Sequence, residues 1–299
     1  MAADGLMATA VRLGVSVDAL AALAAFVRLE TEQLPADPAV RDLLGKIAGE
    51  LVDYDVVPDP ATATSVLGLA RTFLRQAEEL IDNPGRSGGW EQVDIPLLQS
   101  IGRLSMAISG AVLTAERRLP DLGGRLAAPG ARFLDIGTGA GWFAIAMARS
   151  HPNLTVVGID IFAPALDLGH ANVQEQGLAD RVELRLQDAT ELDDAERYDA
   201  IWLPLPFLPA GIVDAVIAAA ASALHPGGWL LPGTFTGPDD RLSQLLTDLR
   251  IVRSGGHPWR PEELIDRLRT AWLLDAQEIT RTWSAPVRLY AGQRPGDGR

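Results

Sequence analysis

The chain has 299 residues, of which 47% are hydrophobic and 22% are charged, a composition that excludes a disordered or fibrous protein. Acidic residues outnumber basic residues 39 to 26, which gives a net charge of −13. A uniformly acidic surface repels phosphate backbones and therefore argues against a nucleic-acid partner. The chain has no cysteine, and its four histidines are not paired at ligand spacing, so we expect no metal site.

The first 30 residues are not expected to span a membrane. They carry Asp4 and Asp18, and their longest apolar run, 19–27, covers nine residues. A membrane span needs about 20 apolar residues, and a signal peptide begins with basic residues. We therefore expect a cytoplasmic protein with no membrane partner.

Residues 1–120 have helical periodicity and are predicted to form an all-helical domain. Ser16 is the predicted N-cap of the first helix and Pro35 its stop. Further helices are predicted at 38–51, 61–81 and 95–119. We expect this domain to cover the substrate as a lid and to offer a surface for a homodimer. Prolines and glycines cluster at 120–130 and mark the predicted boundary.

From residue 131 onward, short apolar runs alternate with helical stretches. The predicted strands are 132–136, 154–160, 182–186, 200–203, 229–231, 276–282 and 287–291. This alternation is typical of βαβ units, and it predicts an α/β fold with a doubly wound, mostly parallel sheet over 121–299. The last two strands follow each other closely enough to predict a terminal hairpin.

The strongest motif is a glycine loop between the first predicted strand and the next helix. It reads Asp135-Ile-Gly137-Thr138-Gly139-Ala-Gly141. Glycines at such a turn allow positive φ angles and a close approach of the backbone to a ligand. The stretch Gly139-x-Gly141-x-x-Ala144 also fits the dinucleotide fingerprint. However, Asp135 would repel a pyrophosphate, so it favours a ligand with a cationic group such as an ammonium.

Two more acidic residues follow the next two predicted strands. Asp160 ends the second strand, where a carboxylate accepts hydrogen bonds from ribose hydroxyls, and Asp188 follows the third. Ligands of open α/β sheets bind at these carboxyl ends of the strands. Helix capping is the alternative role for Asp160, and the alternative for Asp188 is an exposed aspartate without a ligand.

This series resembles the class I S-adenosylmethionine-dependent methyltransferases. The resemblance covers about residues 120–295 and includes the segments Tyr198-Asp-Ala-Ile-Trp202 and Leu224-His-Pro-Gly-Gly228. It implies a seven-stranded sheet whose last strand is antiparallel, with S-adenosylmethionine as cofactor. The helical segment before the core is similar to that of methyltransferases that tailor bacterial natural products.

The resemblance also implies roles for individual residues. The glycine loop would lie against the methionine part of the cofactor, Asp160 on the ribose and Asp188 near the adenine. Asp135 would position the loop and the methionine ammonium, directly or through water. The predicted cofactor-binding residues are Asp135, Gly137, Thr138, Gly139, Gly141, Asp160, Ile161, Asp188, Ala189, Leu203 and Arg103, the last as a partner of the methionine carboxylate.

The segment after the fourth strand, Leu203-Pro-Leu-Pro-Phe207, bears on the acceptor. Methyltransferases that act on adenine or glutamine amides resemble each other in an Asn/Asp-Pro-Pro-aromatic box here, whereas this chain has leucines. The segment 202–209 also has no carboxylate for a magnesium ion. The remaining apolar and aromatic wall suits a flat, hydrophobic acceptor and permits an indole.

The predicted acceptor-side residues are aromatic or imidazole side chains. They are Tyr54, Trp90, Trp202, Phe207 and His257, and the candidate catalytic bases are Glu91 and Asp94. Core packing is the alternative role for the aromatic residues after the fourth strand, and helix capping is the alternative for Asp94.

Two other functions remain open from the sequence. The dinucleotide fingerprint permits an NAD-dependent oxidoreductase, although the single lysine, Lys46, lies far from the loop and no Tyr-x-x-x-Lys pair is present. A non-catalytic cofactor-binding subunit is the other alternative, in which the N-terminal helices would serve assembly.

Overall fold

A computed structural model describes residues 2–52, 59–89, 95–283 and 285–296. The helices are α1 (Ala2–Glu32), α2 (Pro38–Leu51), α3 (Pro60–Asp82), α4 (Ile95–Ser105), α5 (Ile108–Glu116), α6 (Leu122–Ala127), α7 (Trp142–Ser150), α8 (Ala163–Glu175), α9 (Val213–Ala223), α10 (Arg241–Arg253) and α11 (Pro261–Thr270). The strands are β1 (Arg132–Ile136), β2 (Thr155–Asp160), β3 (Val182–Leu186), β4 (Tyr198–Pro204), β5 (Leu224–Phe235), β6 (Leu274–Ile279) and β7 (Val287–Gln293). The chain divides into two compact units, residues 1–84 and 85–299.

The first unit consists of three helices, with α1 in contact with both α2 and α3. The prediction that Ser16 caps the first helix is wrong, because α1 starts at Ala2 and continues through residue 16. The α2 prediction is confirmed, and the Asp37 carboxylate caps this helix by accepting a hydrogen bond from the backbone N–H of Ala39 at 2.8 Å.

The α1 helix is strongly apolar and has long exposed side chains, among them Leu6 and Met7 at 75% and 67% exposure. Residues 5–32 are long and apolar enough to cross a membrane by length and composition, and 6% of the most apolar window is buried. Core helices of soluble proteins and signal sequences also have this property, so it does not by itself assign the helix to a membrane.

The second unit contains a seven-stranded sheet in the order β3-β2-β1-β4-β5-β7-β6. The first five strands in this order pair in parallel. Strand β7 is antiparallel to both β5 and β6, which confirms the predicted terminal hairpin and the antiparallel last strand. Consequently β1 lies at the centre of the parallel part, where the strand order reverses and ligands of such sheets bind.

Helices cover both faces of this sheet and create two hydrophobic cores. Side chains alternate along each strand, so Phe133 of β1 joins one core and Leu134 joins the other. The first core is closed by residues of α5, α6, α7 and α8, and the second by residues of α9 and α11. This arrangement confirms the doubly wound, mostly parallel α/β fold.

Two boundaries differ from the predictions. Helices α4, α5 and α6 group with the sheet, so the compact units divide after residue 84 and not near 120. The predicted helix 95–119 is interrupted at 106–107. The hydroxyls of Ser105 and Ser109 donate to the carbonyls of Gly102 and Met106, and such local bonds compete with regular helix bonding.

Candidate functional site

The glycine loop lies at the carboxyl end of β1. Gly137, Gly139 and Gly141 have φ angles of 66°, 53° and 75°, a region that side chains rarely adopt. A Cβ atom at Gly139 would have no other atom within 4 Å, whereas one at Gly137 would lie 3.0 Å from Cγ of Pro204. The loop therefore lies beside the last residue of β4, and open space remains over Gly139 for a ligand.

Several backbone N–H groups of the loop already donate to protein acceptors. Thr138 N donates to the carbonyl of Ile159 at 3.0 Å, and Gly141 N donates to the carbonyl of Thr138 at 2.9 Å. Gly139 N donates to Oδ2 of Asp160 at 2.8 Å. A pyrophosphate needs free N–H groups at such a turn, so this hydrogen bonding does not favour the dinucleotide alternative.

Asp135 is a buried carboxyl group beneath the loop, with 1% of its surface exposed. Its Oδ2 accepts a hydrogen bond from the hydroxyl of Thr138 at 2.7 Å. Burial raises the pKa of Asp135 to about 7, the Thr138 bond opposes this shift, and the nearby charge of Asp160 adds to it. A Cβ atom at position 158 would lie 2.6 Å from the Thr138 hydroxyl, so Gly158 creates the space for this contact.

Asp160 ends β2 and touches the loop from the neighbouring strand. Its Oδ1 accepts from the N–H of Phe162 at 2.9 Å, while Oδ2 accepts from Gly139. Burial raises its pKa, and these backbone bonds oppose the shift. Each carboxylate oxygen has further acceptor capacity, so the residue fits ribose hydroxyls. Two acidic groups at an open, glycine-lined loop fit a ligand that carries an ammonium and a ribose.

The predicted adenine side lies at the ends of β2 and β3. Asp188 is exposed, and its Oδ1 accepts from the backbone N–H and the hydroxyl of Thr190, each at 2.8 Å, so it caps a short 3-10 turn at Ala189–Glu191. Ile161 is 73% exposed and presents an apolar surface beside Asp160. Ala189 is largely buried at 8% exposure. The capping bonds of Asp188 are therefore a role that the sequence did not predict for this residue.

Arg103 and Leu203 occupy different environments near the loop. The guanidinium of Arg103 lies 5.2 Å from the centroid of the Trp142 ring, and Trp142 directly follows Gly141. This contact places Arg103 beside the start of α7. Leu203 is fully buried in the second core.

The aromatic residues of the acceptor side differ in exposure. Trp202 is 4% exposed, packs edge-on against Phe143 with ring centroids 5.4 Å apart, and covers Gly233, where a Cβ atom would lie 2.0 Å from its ring. The structure thus corrects the predicted substrate contact of Trp202 to core packing. Phe207 is half-buried and meets Phe235 edge-on at 5.6 Å.

His257 is exposed and lies against Trp259 with ring centroids 4.4 Å apart. The other predicted acceptor-side residues and bases, Tyr54, Trp90, Glu91 and Asp94, lie outside the described residues. Within the described ranges, no group of three or more histidine or acidic side chains is placed to hold a metal ion.

The sequence interpretation missed three residues that pack against the loop. Asn172 of α8 is 4% exposed and donates to the carbonyl of Ala140 at 2.9 Å. One turn earlier, Gly169 lets α8 approach, because a Cβ atom there would lie 3.1 Å from the carbonyl oxygen of Gly139. Gln99 of α4 contacts Asn172. The sequence signal that could have found two of them is a glycine and an asparagine three residues apart in the helix after β2.

Comparisons with known proteins agree with this geometry. A family model described as a methyltransferase domain matches residues 133–228. A ubiquinone biosynthesis O-methyltransferase from Xanthomonas campestris is 31% identical over 186 residues, which cover 58% of this chain and 75% of that protein. A release factor glutamine methyltransferase from Rhodopirellula baltica is 34% identical over 132 residues, or 43% of each chain, so this chain matches less than half of that relative's length.

A comparison of folds finds similarity over nearly the full length of the chain. The solved structure of an O-methyltransferase family protein from Burkholderia thailandensis has a TM-score of 0.65 at 18% identity, covering 97% of this chain and 98% of that one. Together with the family model and the Xanthomonas relative, the glycine loop and its carboxylates settle the family. The chain belongs to the class I S-adenosylmethionine-dependent methyltransferases, and S-adenosylmethionine is its cofactor.

Proposed function

We propose that this protein transfers a methyl group from S-adenosylmethionine to a small aromatic acceptor, a class that includes indole-type compounds. The observation that carries the proposal is the open space over Gly139, whose N–H is held by the carboxylate of Asp160, with a second carboxyl group, Asp135, buried beneath the loop. This set of groups suits an ammonium and a ribose better than a pyrophosphate.

The cofactor, when bound, supplies a methyl group that its sulfonium has already activated. The protein residues then have to hold and orient the reactants and exclude water. We assign the ammonium to Asp135, the ribose to Asp160, and the methionine carboxylate to Arg103. The exposed Ile161 and Asp188 would flank the adenine.

The acceptor side is apolar in the part that the structure describes. Phe207 is the half-buried aromatic side chain of this segment. Leu203 and Leu205 stand where amide-methylating relatives carry a polar residue, and both side chains are buried in the second core. A glutamine side chain would find no amide partner there, which argues against the activity named for the Rhodopirellula relative. The Xanthomonas relative, named for ubiquinone biosynthesis, supports a small-molecule acceptor instead.

The remaining roles rest on the sequence. We assign proton removal from the acceptor to Glu91 or Asp94, and acceptor contacts to Tyr54, Trp90 and His257. We infer that, of the predicted lid 1–120, residues 1–84, which form a compact unit of their own, act as the lid, and that the apolar N-terminal helices join two copies into a homodimer. The protein would act in the cytoplasm, without a nucleic-acid or membrane partner.

A labelled-methyl transfer assay tests the proposal. The purified protein is incubated with methyl-labelled S-adenosylmethionine and, separately, with indoles, phenols and a glutamine-containing peptide, and the products are identified by mass spectrometry. We expect label in an aromatic compound and none in the peptide. Label in the peptide alone would overturn the proposed acceptor class, and cofactor binding without any transfer would favour the non-catalytic alternative.

A further inference from the structure

A closed network of side-chain amides connects α4, α7 and α8 behind the glycine loop. Gln99 Nε2 donates to Oδ1 of Asn172 at 3.0 Å, and Asn172 Nδ2 donates back to Oε1 of Gln99 at 3.2 Å. The same Oε1 accepts the indole N–H of Trp142 at 2.8 Å, and the same Nδ2 also donates to the carbonyl of Ala140 at 2.9 Å. Both amides therefore use most of their hydrogen-bonding groups within the network.

The orientation of the two amides is fixed by their outer partners. The indole N–H of Trp142 is only a donor, and the carbonyl of Ala140 is only an acceptor. If either amide were turned over, an N–H group would face a donor or an oxygen would face an acceptor. The network thus has one favourable arrangement, and partial satisfaction of the buried Asn172 amide is costly.

This arrangement also fixes a peptide group of the loop at both ends. The Ala140 carbonyl is held by Asn172, while the N–H of the same peptide, on Gly141, donates to the carbonyl of Thr138. The N–H of Gly139, which shares a peptide group with the Thr138 carbonyl, is held by Asp160. The amide network and Asp160 therefore restrain two different peptide groups of the loop.

Helix α4 packs closely on the loop through the same region. A Cβ atom at Gly102 would lie 2.9 Å from Cδ1 of Trp142 and 3.1 Å from Cβ of Ala140. Arg103 covers the Trp142 ring. Since Gln99 and Gly102 are one turn apart, one face of α4 both bonds to and contacts the first residues after the loop.

We propose that Gln99 and Asn172 are positioning residues for the cofactor, and that their paired amides make α4 an energetic part of the cofactor site. The inference rests on the proposed function, since it requires the cofactor to occupy the glycine loop. If α4 restrains the loop, occupancy of the loop must in turn stabilise α4, because coupling between two sites is reciprocal.

The test measures the dissociation constant of S-adenosylhomocysteine by calorimetry in four variants. Gln99→Met and Asn172→Leu remove the paired bonds while keeping similar volume, and each should weaken binding by about tenfold. Trp142→Phe removes only the indole donor and should weaken binding by about threefold. Gln174→Met, at an exposed position of α8, is the matched control and should bind as the parent does.

Two further readouts separate positioning from general support of the fold. The dissociation constant of the double variant Gln99→Met/Asn172→Leu should be about the same as that of the single variant with the lower affinity, because both changes break the same network. In the parent protein, S-adenosylhomocysteine should slow hydrogen exchange of the amides of 95–105, and this protection should be lost in Asn172→Leu.

The outcomes distinguish this inference from the proposed function. If the parent does not bind S-adenosylhomocysteine, the proposed function fails. If the parent binds and folded Gln99→Met binds within twofold of it, or if the losses in the double variant simply multiply, the inference is overturned. Should Gln99→Met fail to fold, unchanged affinity of Trp142→Phe together with unchanged exchange of 95–105 on binding would overturn it equally.

Discussion

The carboxylate of Asp160 accepts a hydrogen bond from the backbone N–H of Gly139 at 2.8 Å. This bond connects the end of β2 to the centre of the loop that follows β1, so the ribose-binding candidate and the loop form one unit. The other oxygen of Asp160 accepts from Phe162, which fixes the carboxylate plane. A change at this residue should therefore affect both ligand contacts and loop geometry.

Replacement of Asp160 by alanine should strongly weaken cofactor binding. It removes hydrogen bonds to a charged group, each worth about 1.5–3 kcal/mol, so the dissociation constant of S-adenosylhomocysteine should rise by at least tenfold. Calorimetric titration measures this rise. Asp167→Ala, at an exposed position on α8, is the matched control. Equal affinity of the two variants would refute the ribose role of Asp160.

A larger side chain at position 139 should block cofactor binding. A Val side chain would fill the open space over the loop and would also be strained at a φ angle of 53°. Gly177 provides a matched control, because it has a φ angle of 66° and equally open surroundings but lies at the end of α8, away from the loop. We expect Gly139→Val to lose S-adenosylhomocysteine binding while Gly177→Val only lowers the melting temperature. Binding by folded Gly139→Val would show that the ligand lies elsewhere.

Cofactor affinity should depend on the ionisation of Asp135. Burial raises the pKa of this group to about 7, so it is mostly protonated at lower pH and cannot pair with an ammonium. If the bound state requires the carboxylate, affinity should increase roughly eightfold between about pH 6 and about pH 7.5. Asp135→Asn should bind more weakly and without this dependence. The same profile in both proteins would assign the titration to another group.

His151 and Glu116 should make the stability of the second unit depend on pH. The ring Nε2 of His151 lies 3.0 Å from Oε1 of Glu116, and the bond to Glu116 raises the pKa of this buried histidine. Because the folded pKa is raised, the stabilisation is fully present below the unfolded pKa of about 6.5 and is lost as the pH rises through the folded value. Glu116→Gln should remove roughly 1–3 kcal/mol of stability at low pH.

Thermal unfolding of the parent and Glu116→Gln at about pH 6 and about pH 9 checks this prediction. The melting temperatures should differ by several degrees at the lower pH and converge at the higher pH. A difference that is constant over this range would mean that the contact is neutral packing and does not involve a protonated histidine.

The sequence predicted the central strands well because their apolar runs are bounded by clear turn signals. Strand β1 was predicted at 132–136 and is found there, and the glycine loop follows it. The start of α1 was missed because Ser16, a good capping residue in general, lies inside a helix that begins at Ala2. Capping preference is a local tendency that continuing helical residues on both sides can override.

The site was less predictable wherever it depends on contacts between distant segments. Gln99 and Asn172 are 73 positions apart, and no spacing rule connects them. The sequence predicted Trp202 to be part of an aromatic surface that contacts the substrate. In the structure, the Trp202 ring fills a space in the core that is open because Gly233 has no side chain. In contrast, Asp135 and Asp160 were predictable because the ends of parallel neighbouring strands meet at one edge of the sheet.

The most direct test of the account is a calorimetric titration of the parent protein with S-adenosylhomocysteine and, separately, with NAD. We expect saturable binding of S-adenosylhomocysteine to the parent at one site, binding at least tenfold weaker in Asp160→Ala, and no heat from NAD. Saturable binding of NAD together with no binding of S-adenosylhomocysteine would contradict it.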